Sequence, residues 1–375
     1  MDVGSVGLWT FQLDLQSAAE ARAAAAEVEA QGWGTLWIPE AVGREALSHA
    51  QLLLDATSEM VVATGVANVW SRSAAAAANA QRLLADDSGG RFLLGLGVSH
   101  QPMVEGLLGQ SYEKPLAKMA SYLDQFDDAF TSSPRPAQDP PRVLAALGPK
   151  MLHLAAERSW GALTYFVPVE HTPIARQALG DVPMLMVEQG VVLTTDPAVA
   201  RDLARRHLQL YLSLPNYVNN LRRLGWDDED LTLPGSDKLA DALVVWGDVD
   251  DVVARVKEHH DAGADHVCLQ VFTPDATAVP IAEWRELAAA LVPPRPEPVG
   301  VVGKASPRVA TATARKVAKA AQATAAKAAP GAAAKATAAK AAKAAKSTKA
   351  AKSARAAKGA TRAATETAKT RRPRA

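Results

Sequence analysis

The sequence has almost no cysteine, since Cys268 is the only one among 375 residues. A single cysteine excludes an intrachain disulfide framework and a zinc site built from several cysteines. Long apolar runs are also missing, because none approaches the roughly 20 residues that a membrane-spanning helix needs. The start, Met1-Asp2-Val3-Gly4, has neither the basic nor the apolar segment of a secretory signal. These absences predict a cytoplasmic protein without a membrane anchor.

Charge is distributed unevenly along the chain. Although the formal net charge is only +1, the segment from Lys304 to Ala375 contains 12 Lys, 7 Arg and one acidic residue, Glu366. That segment therefore carries a formal charge of +18, and the residues before it carry −17. Lysine or arginine recurs at every third residue from Lys340 to Lys358, a spacing that winds charge around a helix and leaves no apolar face. Such a segment has no means of burying a core.

A proline-rich run separates the basic segment from the rest. Residues 293–298 read Pro-Pro-Arg-Pro-Glu-Pro, and proline ends a helix because it lacks an amide donor and disfavours helical geometry in the residue before it. We therefore predict a folded domain over residues 1–295 and a disordered, low-complexity Ala/Lys-rich tail over residues 296–375. The tail resembles those of linker histones and nucleoid proteins, which implies weak, nonspecific nucleic-acid binding through phosphates. A solvated extension without a partner is the alternative.

Upstream of the prolines, short apolar runs alternate with amphipathic segments, a pattern typical of a parallel α/β fold. The runs are rich in Val, Leu and Ile, as expected of strands covered on both faces. Strands are predicted at residues 3–9, 34–38, 60–67, 91–97, 142–146, 161–167, 187–193 and 266–271, each followed by helix. Eight such pairs predict a closed (β/α)8 TIM barrel. An open doubly wound sheet fits less well, because no glycine-rich phosphate loop follows the first strand.

The segment between the seventh and eighth predicted strands is longer than a crossover requires. Residues 197–262 contain several helical stretches, including one from Tyr211 to Leu224. We therefore predict a helical insertion between strands 7 and 8 that covers the mouth of the barrel.

Catalytic residues of such barrels lie at the carboxyl ends of the strands, which limits the candidates. Neither a pair of carboxylates nor a histidine cluster with metal-ligand spacing occurs there. His259 and His260 are adjacent on a predicted helix and point in different directions, which favours solvent exposure over metal binding. A rim without these groups is typical of a barrel in which an organic cofactor carries the chemistry.

Several segments resemble the bacterial luciferase-like family of oxidoreductases. Residues 32–40 (Gly-Trp-Gly-Thr-Leu-Trp-Ile-Pro-Glu), 63–70 (Ala-Thr-Gly-Val-Ala-Asn-Val-Trp) and 88–100 (Ser-Gly-Gly-Arg-Phe-Leu-Leu-Gly-Leu-Gly-Val-Ser-His) are similar to its second, third and fourth strands. Residues 147–150 and 262–267 are similar to its fifth and eighth strands. The resemblance covers residues 3–292 and depends on the order and spacing of these segments.

Members of this family use flavin mononucleotide (FMN) or the deazaflavin coenzyme F420. The end of the third strand, the Ser99-His100 pair and residues 216–220 resemble the actinobacterial branch that uses F420. In that branch the third strand ends in a bulge with a non-prolyl cis peptide that backs the deazaflavin ring. The bulge would fall within residues 65–68, where small residues let a planar ring approach the backbone.

The cofactor phosphate is expected at the start of the helix after the fifth strand. Gly148-Pro149-Lys150 begins that helix, and free amides and the positive end of the helix dipole suit a phosphate. The resemblance thus assigns cofactor binding to Trp9, Gly65, Val66, Ala67, Asn68, Ser99, Gly148 and Lys150.

Hydride transfer also requires a group that handles the accompanying proton. Glu40 and His100 are the titratable candidates for catalysis, because both lie at predicted strand ends. Many members of the family carry an acid followed by histidine after the second strand, whereas this chain has Glu40-Ala41, so His100 or water takes that role. An apolar substrate pocket is assigned to the aromatic residues Trp9, Trp70, Tyr211, Tyr217 and Phe272.

The sequence predicts an F420-dependent oxidoreductase that transfers hydride between F420 and a small organic substrate. An FMN-dependent luciferase-like monooxygenase and a nucleic-acid-associated protein acting through its basic tail are the alternatives. A homodimer is compatible with the sequence.

Overall fold

Parallel strands form a closed barrel in the computed structural model, which describes residues 1–293. In order around the barrel, its eight strands are β1 (Val6–Trp9), β2 (Thr35–Ile38), β3 (Val61–Thr64), β5 (Phe92–Gly97), β6 (Arg142–Ala145), β7 (Gly161–Thr164), β8 (Met184–Leu193) and β10 (His266–Val271). Strand β10 pairs with β1 on one side and with β8 on the other, which closes the barrel. The predicted TIM barrel is confirmed, whereas the predicted tail at 296–375 lies outside the described residues.

Helices surround the barrel. They are α1 (Ala18–Ala30), α2 (Ala46–Leu54), α3 (Ala74–Asp87), α4 (Gln101–Gly106), α5 (Pro115–Asp127), α6 (Pro149–Arg158), α7 (His171–Leu179), α8 (Pro197–Tyr211), α9 (Pro215–Arg223), α10 (Asp228–Leu231), α11 (Asp237–Leu243), α12 (Val249–Asp261) and α13 (Ile281–Leu291). Local sequence determines where several of them begin. Ser17 caps α1 and exchanges hydrogen bonds with Glu20, and Asp248 and Asp251 form the same capping box at α12.

Two short strands accompany the eight strands of the barrel. Strand β4 (Ala67–Asn68) follows β3 after a break and pairs with the end of β5. Strand β9 (Val244–Gly247) pairs with the last four residues of β8. Several helices were predicted over residues 197–262 and are present, but β9 was not predicted, because four residues are too few for their periodicity to distinguish strand from helix.

The interior of the barrel is filled by side chains from alternate strand positions. The inward cluster contains Trp37, Ala63, Leu93, Val143, Leu163, Met186 and Cys268. At the amino ends of the strands, Trp37 Nε1 donates to His266 Nε2 at 3.0 Å, and His266 Nδ1 donates to the Gly4 carbonyl oxygen at 2.8 Å. These bonds help to close that end of the barrel.

A second, larger apolar layer lies between the strands and the helices. It includes the outward-facing residues of the strands, among them Leu8, Leu36, Val62, Leu94 and Leu269, which have no exposed surface. Each buried side chain of this size contributes about 1.5–3 kcal/mol to folding. The strands are therefore covered on both faces, which explains their nearly continuous apolar sequences.

The insertion between β8 and β10 has a core of its own. Helices α8, α9 and α11 bury Leu208, Leu221 and Leu239 together with Phe166 from the segment after β7. This packing places α8 and α9 over the carboxyl ends of β7 and β8. The predicted insertion over the mouth of the barrel is confirmed.

One histidine assignment needs correction. His259 is fully buried rather than solvated, and its ring nitrogens lie 2.9 Å from Thr172 Oγ1 and 2.9 Å from Gln189 Oε1. Burial lowers the pKa of His259 to about 3, so the ring is a neutral link between α12, α7 and β8. In residues 1–293 no helix is long and apolar enough to cross a membrane.

Candidate active site

The mouth of the barrel has two different halves. Toward the mouth, the next inward positions after those of the buried cluster on β3, β5 and β6 hold small residues. They are Gly65, Gly95 and Ala145, each two residues beyond Ala63, Leu93 and Val143 in turn. The corresponding positions on β7, β8 and β10 hold larger side chains. They are Tyr165, Glu188 and Gln270, each two residues beyond Leu163, Met186 and Cys268 in turn. One half is therefore lined by small residues, and the other by polar and aromatic side chains.

The half with small residues is centred on the end of β3. The peptide bond between Gly65 and Val66 is cis, within the segment 65–68 where such a bond was expected. Trp9 Nε1 donates to the Gly65 carbonyl oxygen at 3.1 Å. A β-carbon on Gly65 would lie 2.5 Å from the same nitrogen, so only glycine fits beneath this indole.

Val66 faces the same half of the mouth. Its side chain packs on the inward cluster, and a β-carbon on Gly97 would overlap one of its methyl groups. A β-carbon on Gly95 would overlap the Thr64 carbonyl oxygen and lie 3.1 Å from the other methyl group of Val66, so the two glycines of β5 make room for the end of β3 and for Val66. Ala67, in contrast, is buried in the layer between barrel and helices, so its side chain faces away from the mouth.

Glu40 is held by an ion pair behind the mouth. The guanidinium of Arg72 donates two hydrogen bonds to its carboxylate. Nη2 donates to Oε1, and Nη1 donates to Oε2 at a distance of 2.7 Å. Oε2 also accepts from the Asn68 amide at 2.6 Å, and Oε1 accepts weakly from the Ala46 amide at 3.4 Å. Both charged side chains are less than one-tenth exposed. The carboxylate thus supports the backbone at Asn68, the residue that the sequence assigned to the cofactor.

Ser99 and His100 follow β5 at the rim. Ser99 has a left-handed backbone, with φ of 55°, and its carbonyl accepts from the Tyr112 hydroxyl at 3.2 Å. His100 Nδ1 lies 3.2 Å from Asn216 Oδ1, and its ring packs 5.3 Å from that of Tyr217. Burial lowers the pKa of His100, and the hydrogen bond to Asn216 opposes this only in part. The imidazole is therefore neutral near pH 7.

A cationic side chain from another helix, which the sequence did not indicate, lies beside the start of α6. Gly148 is the N-cap of α6, with Pro149 and Lys150 in the first turn, and Lys150 is exposed. A β-carbon on Gly148 would lie 3.5 Å from Nη2 of Arg223, at the end of α9. Arg223 Nη2 also donates to Asn220 Oδ1 at 2.9 Å. The positive end of the helix dipole and a guanidinium therefore lie close together, an arrangement that suits an anion.

The other half of the mouth is a cluster of aromatic rings, here called the aromatic cap, to which the insertion helices α8 and α9 contribute three members. Its members are Tyr165, Phe166, His207, Tyr211, Tyr217 and Phe272, with ring centroids 4.4 to 6.3 Å apart. The Tyr165 hydroxyl donates to Gln270 Oε1 at 2.8 Å and lies 2.9 Å from that of Tyr211. Trp70 lies outside the cap, where it contacts Tyr112 and Lys118.

Glu188 is buried beneath the aromatic cap. Its side chain is 2% exposed, Oε2 accepts from the Phe166 amide at 3.1 Å, and Oε1 has no hydrogen-bond partner. Burial raises its pKa to about 8, so the group is a neutral carboxylic acid at pH 7. Glu188 was not among the residues predicted from the sequence, although an acidic residue inside a strand covered on both faces is itself a signal.

Other contributors to the site had weaker signals in the sequence. Tyr165 and Phe166 lay inside a predicted strand, and Arg72, His207 and Arg223 lay on or beside predicted helices where charge and polarity are ordinary. In residues 1–293 no group of three or more His, Cys, Asp or Glu side chains is arranged to hold a metal ion.

A closed parallel barrel with its glycines, aromatic rings and buried acid gathered at the carboxyl ends of the strands defines a (β/α)8-barrel enzyme. The luciferase-like monooxygenase family matches residues 1–266. The chain belongs to this family of oxidoreductases, which confirms the assignment made from the sequence.

Individual relatives are more distant. A candidate coenzyme F420-dependent oxidoreductase of Mycobacterium tuberculosis is 29% identical over 322 residues, covering 69% of this chain and 91% of the relative. An F420-dependent secondary alcohol dehydrogenase in complex with an F420-acetone adduct covers 76% of this chain and 97% of its own, with a TM-score of 0.62 and 14% identity. The oxygenating constituent of 3,6-diketocamphane monooxygenase from Pseudomonas putida, in complex with FMN, covers 76% and 96%, with a TM-score of 0.58 and 15% identity. At these identities the solved structures share the fold.

Proposed function

We propose that this chain is an oxidoreductase that transfers hydride between coenzyme F420 and a small organic substrate. The observation that carries the proposal is the division of the mouth into a half lined by small residues and a half lined by polar and aromatic residues. A planar cofactor ring needs a flat, open backbone surface, and a substrate needs side chains that recognise it. The F420 dependence named for the M. tuberculosis relative supports the choice of cofactor.

The residues of the small half fit a tricyclic ring. The backbone from Gly65 to Val66 faces the mouth, and a β-carbon on Gly65 would occupy space now taken by the indole of Trp9. Trp9 is held beside this surface by its hydrogen bond to Gly65, so we propose that its indole contacts the edge of the cofactor ring. Val66 then backs the ring, while Ala67 and Asn68 act through the position of the backbone, and Ser99 borders the ring at the end of β5.

The residues at the start of α6 fit the phosphate of the cofactor side chain. Pro149 has no amide hydrogen and the Met151 amide donates to the Gly148 carbonyl oxygen, so Lys150 supplies the amide of the first turn, and Arg223 lies beside Gly148. A guanidinium and free helix amides bind phosphate through charge-assisted hydrogen bonds. We therefore add Arg223 to Gly148 and Lys150 as a phosphate-binding residue, with Asn220 orienting its guanidinium.

When bound, F420 would accept or donate a hydride at its ring. The chain must then orient the substrate against that ring and manage one proton. His100 is neutral and lies at the rim beside Tyr217, so we propose that it passes this proton between the site and solvent. Glu40 has its oxygens occupied by Arg72 and by backbone amides, so we propose that it positions the backbone at Asn68 and does not transfer a proton.

FMN is the competing cofactor, because a barrel of the same fold binds it in the P. putida structure. The two cofactors present similar rings, so cofactor choice is decided by binding measurements on the full chain. We expect F420 to bind at least about tenfold more tightly than FMN, a difference of roughly 1.4 kcal/mol. The measurement is equilibrium titration of the purified protein with each cofactor, followed by absorbance to detect hydride transfer from F420. Tight binding of FMN without measurable binding of F420 would reverse the assignment.

A further inference from the structure

Glu188 is the only ionisable side chain on the inward face of β8. It lies two residues beyond Met186 of the buried barrel core and two residues before Gly190. Its Cα is paired with that of Cys268 on β10. The carboxyl group therefore lies at the border between the packed interior and the mouth, and it is almost fully buried there.

The backbone after β7 turns toward this carboxyl. Phe166 has a left-handed conformation, with φ of 56°, which is uncommon for a residue with a bulky side chain. In this conformation its amide donates to Glu188 Oε2 at 3.1 Å. One oxygen is thus fixed, while the other, Oε1, is buried without a partner. A buried polar atom without a hydrogen bond is costly and rare, so it calls for a function.

The titratable groups that face Glu188 come from four elements. Tyr165 follows β7, Tyr211 lies on α8, Tyr217 lies on α9 and Cys268 lies on β10, and the charge of Glu188 acts on each of them. All four are neutral at pH 7, because burial raises each of their pKa values. His207 in the same cap is also neutral, since burial lowers its pKa to about 3.

Cationic side chains do not reach this group. In residues 1–293, the hydrogen bonds and ring contacts of Glu188 and of the aromatic cap involve no Lys or Arg. With no cation to stabilise the charged form and with burial opposing it, the carboxyl keeps its proton at pH 7. A protonated carboxyl has an O–H to donate, and Oε1 is the atom free to carry it.

Resting on the proposed hydride transfer, we propose that Glu188 is a catalytic acid that donates its Oε1 hydrogen to the oxygen of a neutral carbonyl substrate seated under the aromatic cap. A substrate with a neutral carbonyl oxygen and an otherwise apolar structure is complementary to this site, because the oxygen can accept from the neutral Glu188 and the apolar part can pack against the rings of the aromatic cap. An anionic substrate does not match, because the cap has no cation to receive it.

The step balances for a carbonyl and its alcohol. In the reducing direction the carbonyl carbon receives hydride from the reduced cofactor, the C–O π bond breaks, and the oxygen takes the proton from Glu188. An alcohol and a Glu188 carboxylate result, and the carboxylate regains a proton from water as the product leaves. In the oxidising direction the carboxylate takes the hydroxyl proton while the carbon gives up hydride to the oxidised cofactor.

The test compares the full chain with Glu188→Gln, which keeps the shape and a hydrogen-bond donor but cannot titrate. Glu170→Gln is the matched control, because Glu170 is an exposed acid at the start of α7 without a capping bond. Infrared difference spectra recorded across a pH titration follow the C=O stretch of a protonated carboxyl. We expect this band up to about pH 8 in the wild type and in Glu170→Gln, and its loss in Glu188→Gln. Acetone, added as a small carbonyl probe, should shift the band in the first two proteins.

Turnover gives the second readout. With F420 and a panel of small ketones and aldehydes, Glu188→Gln should lower kcat by at least about a hundredfold, the scale of general acid catalysis, and abolish the limb of the pH profile near 8. Its affinity for F420 should be unchanged. Absence of the carboxyl band, a band that no carbonyl probe shifts, or unaltered kcat in Glu188→Gln each overturns the proposal. Failure of F420 to bind any of the three proteins would instead overturn the proposed function, and the infrared titration would still decide whether Glu188 carries a proton toward a carbonyl.

Discussion

The indole nitrogen of Trp9 donates to the carbonyl oxygen of Gly65 at 3.1 Å, and a β-carbon on Gly65 would lie 2.5 Å from that nitrogen. These residues are 56 positions apart in the sequence, yet each determines the place of the other. The indole holds the end of β3 at one orientation, and the missing side chain at Gly65 lets the indole lie flat against it. Substitution at either position therefore changes the surface that we assign to the cofactor ring.

Replacing Gly65 with Ala should displace Trp9. The added methyl group forces an overlap that typically costs about 1–3 kcal/mol, and we expect the affinity for F420 to fall at least about tenfold. The measurement is equilibrium titration of the folded variant with F420. Gly34→Ala is the control, because a β-carbon there meets no neighbour within 4 Å. Equal affinities of the two variants would contradict the position assigned to the ring.

The buried pair of Glu40 and Arg72 should behave as a structural unit. Arg72→Met leaves the Glu40 carboxylate buried without its cation, which should lower the free energy of unfolding by about 3–5 kcal/mol. The double variant Glu40→Gln/Arg72→Met should be more stable than Arg72→Met, because both charges are then gone. Urea unfolding measures the difference. Arg285→Met, which breaks an exposed pair with Glu27, should cost no more than about 1 kcal/mol. A strictly additive double variant would show that the two side chains act independently.

His100 is predicted to govern the acid limb of the pH profile. Burial lowers its pKa, and a carboxylate next to Nδ1 would raise it again. Asn216→Asp, which places a carboxylate at the atom now bonded to Nδ1, should move the acid limb of kcat/KM upward by about one pH unit. His100→Ala should lower kcat while leaving F420 affinity unchanged. His153→Ala removes an exposed imidazole on α6 and should alter neither property. If the limb does not move in Asn216→Asp, His100 is not the titrating group.

Arg223 should contribute to cofactor affinity through the phosphate. Loss of a hydrogen bond to a charged group costs about 1.5–3 kcal/mol, so Arg223→Met should weaken F420 binding by roughly ten- to a hundredfold and reduce its dependence on salt. Arg222→Met is the control on the same helix, because Arg222 is exposed and pairs with Asp228. Titrations at two salt concentrations measure both effects. Equal losses in the two variants would point to a general electrostatic effect and not to a phosphate contact.

The pH dependence of stability should report the buried proton of Glu188. The unfolded chain releases this proton above the ordinary pKa of 4.5, whereas the folded chain retains it up to about 8. The unfolded state therefore binds fewer protons in this range, and the stability of the wild type falls relative to Glu188→Gln as pH rises from 4.5 to 8. The difference in free energy of unfolding should grow by up to about 1.4 kcal/mol per pH unit. Urea unfolding at pH 5, 6, 7 and 8 checks it, and a constant difference would show that Glu188 is not protonated in the folded state.

Much of the architecture follows from short-range patterns. The apolar runs at Phe92–Gly97 and His266–Val271 were predicted almost to the residue, and helices such as Ala74–Asp87 follow their strands as predicted. The rim position of His100 could be placed from the rule that strands end at the mouth, and that of Gly65 from the resemblance to the family. Strand β9 at Val244–Gly247 was missed, because its pairing with the end of β8 is not written in its own four residues.

The state of the site depended on partners that are distant in sequence. The sequence favoured Glu40 as a catalytic residue, because it does not show that Arg72, 32 residues away, pairs with its carboxylate. Glu188 received no role until the Phe166 amide, 22 residues earlier, and the tyrosines of the insertion were found around it. Arg223 lies beside Gly148 only because α9 folds back over the mouth.

The sequence by itself determined the eight-fold alternation of strand and helix, the insertion and the family, because these depend on local periodicity and on the order of short motifs. Only the tertiary structure decided which acid is paired, which is protonated and which cation lies beside the start of α6. The physical reason is that charge state follows from burial and from neighbours within a few ångströms. Closing the barrel brings such neighbours together from strands far apart in the chain.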